Sequence, residues 1–202
     1  MGDGHIEFKS DLSKEEHEMV VRRLKVLPNF PKKGLKFKDL SHVIGDPKVF
    51  RTVIGAFVKR YKDMNITAVA GIESRGFIFA SPVALGLKVP FVPFRKPGKL
   101  ACQSVGVDIK MKRQSHTVDS DQSTFGKDRL EMHEGGFKEG DRVLVIDDML
   151  GSGSTLKGAC DLAAVVGAEV VECAVVTELR GLGGRDALPE GKKIYILLEE
   201  VA

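Results

Sequence analysis

Short apolar runs alternate with amphipathic stretches along most of this chain. "SKEEHEMVVRRLKVLPNF" opens with Ser13 and Glu16 at capping-box spacing, then sets Val20, Leu24 and Leu27 on one face. A helix is expected there, stopped by Pro28. "DPKVFRTVIGAFVKRY" follows the same logic, with Asp46 as cap, Pro47 in the first helical position and Phe50, Ile54, Phe57 and Tyr61 as the expected buried stripe. Further on, "ITAVAGIE", "VPFVPFR", "RVLVIDD", "AEVVECAVVTEL" and "KKIYILLEE" are compact and rich in Val and Ile, as strands buried on both faces are. "GFIFASPVALGL" and "STLKGACDLAAVVG" read as helices between them. Helices alternating with strands imply right-handed crossovers over a mainly parallel sheet, a doubly wound α/β fold.

One region breaks the alternation. From Lys96 to about Gly126 the chain is polar, Gly-containing and long. A connection of that size in a compact domain is a functional lid or a passive insertion. Its position after a strand end, where ligands sit in such folds, favours a mobile lid over residues 96–126.

Composition narrows the class. With 202 residues and 43% hydrophobic content, the chain is expected to fold as one domain, residues 1–202. The net charge of +3 is small and the basic residues are interleaved with acidic ones, which argues against nucleic acid as a partner. Three scattered cysteines, Cys102, Cys160 and Cys173, favour reduced thiols in a cytoplasmic setting over a disulfide frame. "MGDGHIEFKSDLSKEE" has no apolar core suited to a signal peptide, and no run reaches the length of a membrane span, so no membrane association is expected. The histidines are far apart, match no metal-ligand spacing and are expected at the surface.

The chemistry concentrates in "VLVIDDMLGSGSTLKGAC", Val143 to Cys160. Glycines before a helix free backbone N–H groups for an anion, and the helix N-terminus adds partial positive charge. The ATPase loop is excluded because Leu156 and Lys157 follow Thr155 where that loop needs Lys before its last Ser or Thr. The dinucleotide fingerprint is excluded because Leu156 occupies the place of its third glycine. What remains is a strand ending in Asp147 and Asp148, one loop away from the anion cradle. A ribose 5-phosphate suits that pair of features: the loop takes the phosphate, and ionised carboxylates accept from the sugar hydroxyls. The same carboxylates would stabilise positive charge developing on the ribose ring.

An apolar strand, Asp-Asp, two residues, a Gly/Ser/Thr loop and a helix resemble the signature of the type I phosphoribosyltransferases, which use phosphoribosyl pyrophosphate. "NFPKKGLKFKDL", "GIESRGFIFA", "FVPFRKPGKL" and "ELRGLGGRDAL" are similar, in order and spacing, to the adenine-specific branch of that family, from about Val20 to the C-terminus. The resemblance implies a type I phosphoribosyltransferase fold with a small hood within residues 1–45, and a transfer that joins adenine to the sugar phosphate as AMP. It assigns the 5-phosphate to Gly151, Ser152, Gly153, Ser154 and Thr155, and the ribose hydroxyls to Asp147 and Asp148. Glu73, Ser74, Arg75, Arg95, Lys96 and Lys99 would meet pyrophosphate, with Asp147, Asp148 and Arg75 as the catalytic residues. Adenine would lie against Phe37 and bond to backbone near Leu35 and Lys38. Mg²⁺ is implied, held mainly by substrate and water, and so is a homodimer.

This chain departs from the family pattern in places. The lid of the family carries a Tyr-Ser-x-Glu-Tyr-Gly box whose Glu moves a proton at the purine ring. "DQSTFG" puts Thr124 in that place, and Thr is no general acid near neutral pH. Asp119, Asp121 and Glu131 are the acids nearby in sequence that could substitute. Lys38 replaces a common Arg, Lys36 a common apolar residue, and "GSGST" stands for "ATGGT". The readings that follow are an active transferase of reduced rate, a transferase for another purine, or a regulatory protein that keeps the pocket without the turnover.

Overall fold

The computed structural model describes residues 11–30, 33–109 and 128–199. α1 (Lys14–Val21) starts from a complete capping box, in which Ser13 Oγ accepts from the Glu16 amide and the Glu16 carboxylate accepts from the Ser13 amide. The helix is shorter than its apolar spacing predicts. Lys25–Pro28 is strand β1, paired antiparallel with β2 (Lys36–Asp39). Leu24 and Leu27 therefore leave the helical stripe. The ribbon is closed between Asn29 and Gly34, both at positive φ, and Asn29 Oδ1 accepts from the Gly34 amide at 2.9 Å. Strand pairing across that turn outweighs the local helical periodicity. His17, expected at the surface, is buried in α1, and burial lowers its pKa.

After a single turn, α2 (Ser41–Ile44), the chain enters α3 (Pro47–Tyr61) as the sequence predicts. Asp46 Oδ1 accepts from the Lys48 and Val49 amides, and Pro47 occupies the first turn, where its missing N–H is harmless. The buried stripe is Val49, Val53, Ala56, Phe57 and Tyr61, while Phe50 and Ile54 are only partly covered. The expected stripe was thus centred one helical line away from the true one.

The remaining elements are β3 (Ala68–Ile72), α4 (Gly76–Leu87), β4 (Phe91–Phe94), β5 (Ser104–Asp108), β6 (Arg129–His133), β7 (Arg142–Leu150), α5 (Ser154–Val165), β8 (Glu169–Glu178) and β9 (Ile194–Ile196). The main sheet runs β4-β3-β7-β8-β9, and every pairing in it is parallel. Alternate residues feed two cores. Val69, Leu144, Ile146, Ala174 and Val176 pack with α3 and α4 on one face. Ala70, Val143, Val145, Cys173 and Val175 pack with α5 on the other. This is the doubly wound α/β architecture that the sequence predicts. Among the described residues, no helix is long and apolar enough to cross a membrane.

The stretch read as a lid is built in part. β5 and β6 form an antiparallel pair, and Val105, Val107 and Ile109 lean on the α5 core. The stem is therefore a packed arm; its short apolar alternation is diluted by Gly106 and the polar residues around it. Thr124, Asp119 and Asp121 lie outside the described residues.

Winding direction decides where a ligand can sit. From β3 the chain crosses through α4 to β4, but from β7 it crosses through α5 to β8 on the opposite side. The crevice between the carboxyl ends of β3 and β7 is the topological switch point, the usual ligand position in such sheets.

Phe57 tests the α3 packing. It is fully buried, with its ring edge-on to Tyr195. Phe57→Ala should lower unfolding stability by about 3–5 kcal/mol in urea titration, and an unchanged midpoint would contradict this placement.

Candidate active site

Parallel strands bring all their carboxyl ends to one edge, and the loops that leave them carry nearly every polar residue singled out above. Glu73, Ser74 and Arg75 follow β3, Arg95 to Lys99 follow β4, and Gly151 to Thr155 follow β7. Asp147 and Asp148 lie within β7 rather than at its end, because Met149 and Leu150 continue the ladder to Thr177 and Glu178. The acids are thereby held by backbone pairing on a fixed strand.

Asp147 is half-buried, and its Oδ1 accepts from the Asp148 amide at 2.8 Å. Gly76, the first residue of α4, fits against it; a Cβ there would stand 2.9 Å from the Ile146 carbonyl oxygen and 3.0 Å from Asp147 Oδ1. The glycine of "ESRG" is what lets α4 start beside the acids. Asp148 is 6% exposed, and its Oδ2 lies 2.9 Å from Arg75 Nε as an ion pair without an aligned hydrogen bond. Burial pushes the Asp147 carboxyl well above the usual carboxylate range, and the neighbouring Asp148 charge adds to the effect. Burial also raises Asp148, against the opposing charge of Arg75.

The anion loop has the form its glycines suggest. Gly153 sits at φ +76°, a left-handed conformation that favours glycine, and α5 begins at Ser154 with no side chain capping its first amides. Ser152 Oγ and Ser154 Oγ are 3.2 Å apart. A cavity of about 530 Å³ opens on this loop, walled also by Asp108 and Ile109 of the lid stem and by Leu182 and Ala187.

On the β4 side the predicted basic group divides by role. Arg95 Nε and the Lys96 amide both donate to Glu73 Oε2, at 3.1 and 3.2 Å, and Arg95 Nη1 donates to the Lys99 carbonyl at 2.7 Å. Burial works against ionisation of Glu73, yet the hydrogen bonds from Arg95 and Lys96 outweigh it and hold the carboxyl below its ordinary range. Glu73 thus engages Arg95 and the Lys96 amide of the next loop. Ser74, Lys96 and Lys99 are exposed.

The hood reaches the same crevice. Phe37 is half-buried, edge-on to Phe30 at 5.2 Å, and the Arg75 guanidinium carbon lies 5.8 Å from its ring centroid. The Leu35 carbonyl already accepts from the Asn29 amide at 2.7 Å. Alternation along the ribbon then makes Leu27–Phe37 a hydrogen-bonding pair and turns the Lys38 N–H and C=O to the outer edge. The Lys38 side chain is buried; burial and the nearby Arg180 lower its pKa, against Glu178. Glu131 is engaged elsewhere, taking Arg129 Nε at 3.2 Å and Ser104 Oγ at 3.3 Å. Among the described residues, no cluster of three or more His, Cys, Asp or Glu side chains is placed to hold a metal ion.

The segment after β8 carries no site residue that the sequence predicts. Gly184 stands against the Gly151 carbonyl of the anion loop, Glu178 and Arg180 lie near Lys38 of the hood, and Arg185 pairs with Glu178; their sequence signal is the glycine-rich "ELRGLGGRDAL" at the end of a strand.

The residues match known proteins over most of their length. The model of the phosphoribosyl transferase domain matches residues 43–200. Adenine phosphoribosyltransferase 4 of Arabidopsis thaliana is 48% identical over 177 residues, which span 88% of this chain and 90% of that one. The crystal structure of the adenine phosphoribosyltransferase of Rhodothermus marinus gives a TM-score of 0.78 at 35% identity, covering 92% of this chain and 98% of that one. The Saccharomyces cerevisiae adenine phosphoribosyltransferase, complexed with adenine and an imino-altritol bisphosphate, gives 0.77 at 28% identity, covering 91% and 98%.

The raised carboxyls generate a pH dependence. Ionised carboxylates are the form that accepts sugar hydroxyls, so binding favours proton loss, while the free site holds its protons above the ordinary value of about 3.9. Affinity for ribose 5-phosphate should therefore fall as pH drops through the raised carboxyl range. In calorimetric titrations the acid limb should be present in the wild type and missing from Asp147→Asn/Asp148→Asn. The same limb in both would place it on the phosphate.

Proposed function

The chain belongs to the adenine phosphoribosyltransferases, and from that premise we propose that its crevice runs the reaction of purine salvage. The 5-phosphoribosyl group of phosphoribosyl pyrophosphate passes to adenine, giving AMP and pyrophosphate. One observation carries the residue assignment: Asp147 and Asp148 sit one loop from the uncapped start of α5, with Arg75 reaching them from across the switch point.

The amides of Gly151 to Thr155, helped by the Ser152, Ser154 and Thr155 hydroxyls, take the 5-phosphate. Asp147 and Asp148 accept from the ribose hydroxyls. Arg75 rests on Asp148 in the free site; turning to pyrophosphate, it releases Asp148 Oδ2 for a hydroxyl. Arg95, braced by Glu73, presents the β4 loop with Lys96 and Lys99 to the same leaving group. Adenine stacks on Phe37 and meets the free backbone edge at Lys38. As the bond from the anomeric carbon to pyrophosphate breaks, positive charge grows on the ribose ring beside two carboxylates, which stabilise it.

Mg²⁺ fits this donor set. Held mainly by substrate and water, the ion would meet hard oxygen donors in the Asp147 and Asp148 carboxylates, the latter with a buried Oδ2 that has an ion pair to Arg75 but no hydrogen bond. When bound, it would supply charge neutralisation for the pyrophosphate leaving group.

The wider expectations extend the same reading. Residues 1–202 form one domain, with the hood within 1–45 and a lid over 96–126. A homodimer is supported by α4, whose outer side exposes Ile78 and Leu85. Free thiols at Cys102, Cys160 and Cys173 support a reducing, cytoplasmic setting.

AMP formation from adenine, phosphoribosyl pyrophosphate and Mg²⁺, followed by chromatography across a panel of purine bases, tests the reaction. Adenine should be the preferred base; tight sugar-phosphate binding with no nucleotide formed would refute catalysis. Asp147→Asn/Asp148→Asn should lower kcat/KM by about 10²–10³-fold or more with the circular dichroism spectrum unchanged, and unaltered kinetics would reject the ribose assignment. Phe37→Ala should raise KM for adenine about tenfold and leave that for phosphoribosyl pyrophosphate unmoved, and equal changes in both would reject the stacking role.

A further inference from the structure

The segment after β8 and the anion loop after β7 interlock glycine to glycine. A Cβ on Gly184 would run into the Gly151 carbonyl oxygen and stand 2.9 Å from Leu150 Cγ, and one on Gly153 would run into the Gly184 carbonyl oxygen. Gly184 has φ −64° and ψ −31°, a conformation open to any residue. Its lack of a side chain therefore answers to the neighbouring loop and not to its own backbone. The Leu179 amide donates to the Leu150 carbonyl at 2.8 Å, which joins the two segments at their base.

A clasp of charges holds this second segment in place. Arg185 spans both oxygens of Glu178, with Nε at 3.1 Å from each and Nη2 at 2.7 Å from Oε2. Its Nη1 donates to Glu199 at 2.9 Å, and Arg180 Nη2 donates to the Glu199 carbonyl at 2.8 Å. Glu178 is itself buried and paired with Leu150 in the β7–β8 ladder. The fork thus closes the loop back on the strand that carries it, next to the strand that carries Asp147 and Asp148. A planar guanidinium on a buried carboxylate fixes direction as well as distance.

We propose that Gly184 and the Arg185–Glu178 clasp are positioning residues for the anion loop, setting the affinity for the sugar phosphate without touching it. The inference rests on the assignment of that loop to the 5-phosphate. Amides that bind phosphate must meet its oxygens within a few tenths of an ångström, so a displaced backing segment weakens that contact first. The ribose acids on β7 and the base edge on β2 are held by their own ladders and are spared.

The experiment combines steady-state kinetics with calorimetric titration of ribose 5-phosphate, on the full chain. Gly184→Ala should raise KM for phosphoribosyl pyrophosphate and Kd for ribose 5-phosphate by about tenfold or more, with kcat within about threefold and KM for adenine unchanged. Arg185→Met should show the same pattern, and Arg185→Lys, which keeps the charge but not the fork, should recover part of the loss. Glu178 variants are unsuited, because Lys38 of the hood also faces that carboxylate. If Gly184→Ala fails to fold, the Arg185 pair carries the test. A lower Tm with unchanged Kd, or equal losses for both substrates, would overturn the proposal. A wild type that binds ribose 5-phosphate yet forms no AMP would instead overturn the proposed reaction, and the variant shifts in Kd would still decide this inference.

Discussion

Two neighbouring carboxylates held close together in the central strand of a parallel sheet set the terms for the rest of this site. Burial opposes the ionisation of both, and at Asp147 the charge of Asp148 adds to it. Asp147 has the amide of its neighbour, and Asp148 has Arg75. A ligand rich in hydroxyl donors supplies what the fold withholds, so the desolvated pair favours a sugar over a plain anion. The glycine at the start of α4, the switch in winding between β3 and β7, and the uncapped start of α5 all arrange neighbours around that pair.

Arg75 links the proposed ligand regions. Its guanidinium lies between the Asp148 carboxylate and the face of Phe37. Phe37 and Asp148, the proposed partners of base and ribose, thereby share one side chain. On the proposed reading an anion arriving at Arg75 changes what both neighbours present, and Glu73 holds Arg95 of the opposite loop.

Much of this was legible in the sequence because the signals were local. The capping of α3 by Asp46 and Pro47, the strand before the two acids and the glycine loop after them depend on residues adjacent in the chain. What escaped depended on partners distant in sequence. Leu24 and Leu27 carry helical spacing, but Lys36–Asp39 offers β1 a partner and the helix yields. β7 runs past its acids because β8 continues beside it to Glu178. The stem of the lid packs on the α5 core, and Glu73 bonds to Arg95, because these partners are neighbours in space and not in sequence. The close approach of Gly184 to Gly151 and Gly153 is invisible until the two loops are brought together.

A crystal structure of the protein with phosphoribosyl pyrophosphate, Mg²⁺ and an unreactive adenine analogue tests the central claim most directly. The account predicts the 5-phosphate on the amides of Gly151 to Thr155, both ribose hydroxyls on Asp147 and Asp148, and Arg75 turned from Asp148 toward pyrophosphate. A sugar bound elsewhere, or an Arg75–Asp148 pair left intact beneath it, would contradict it.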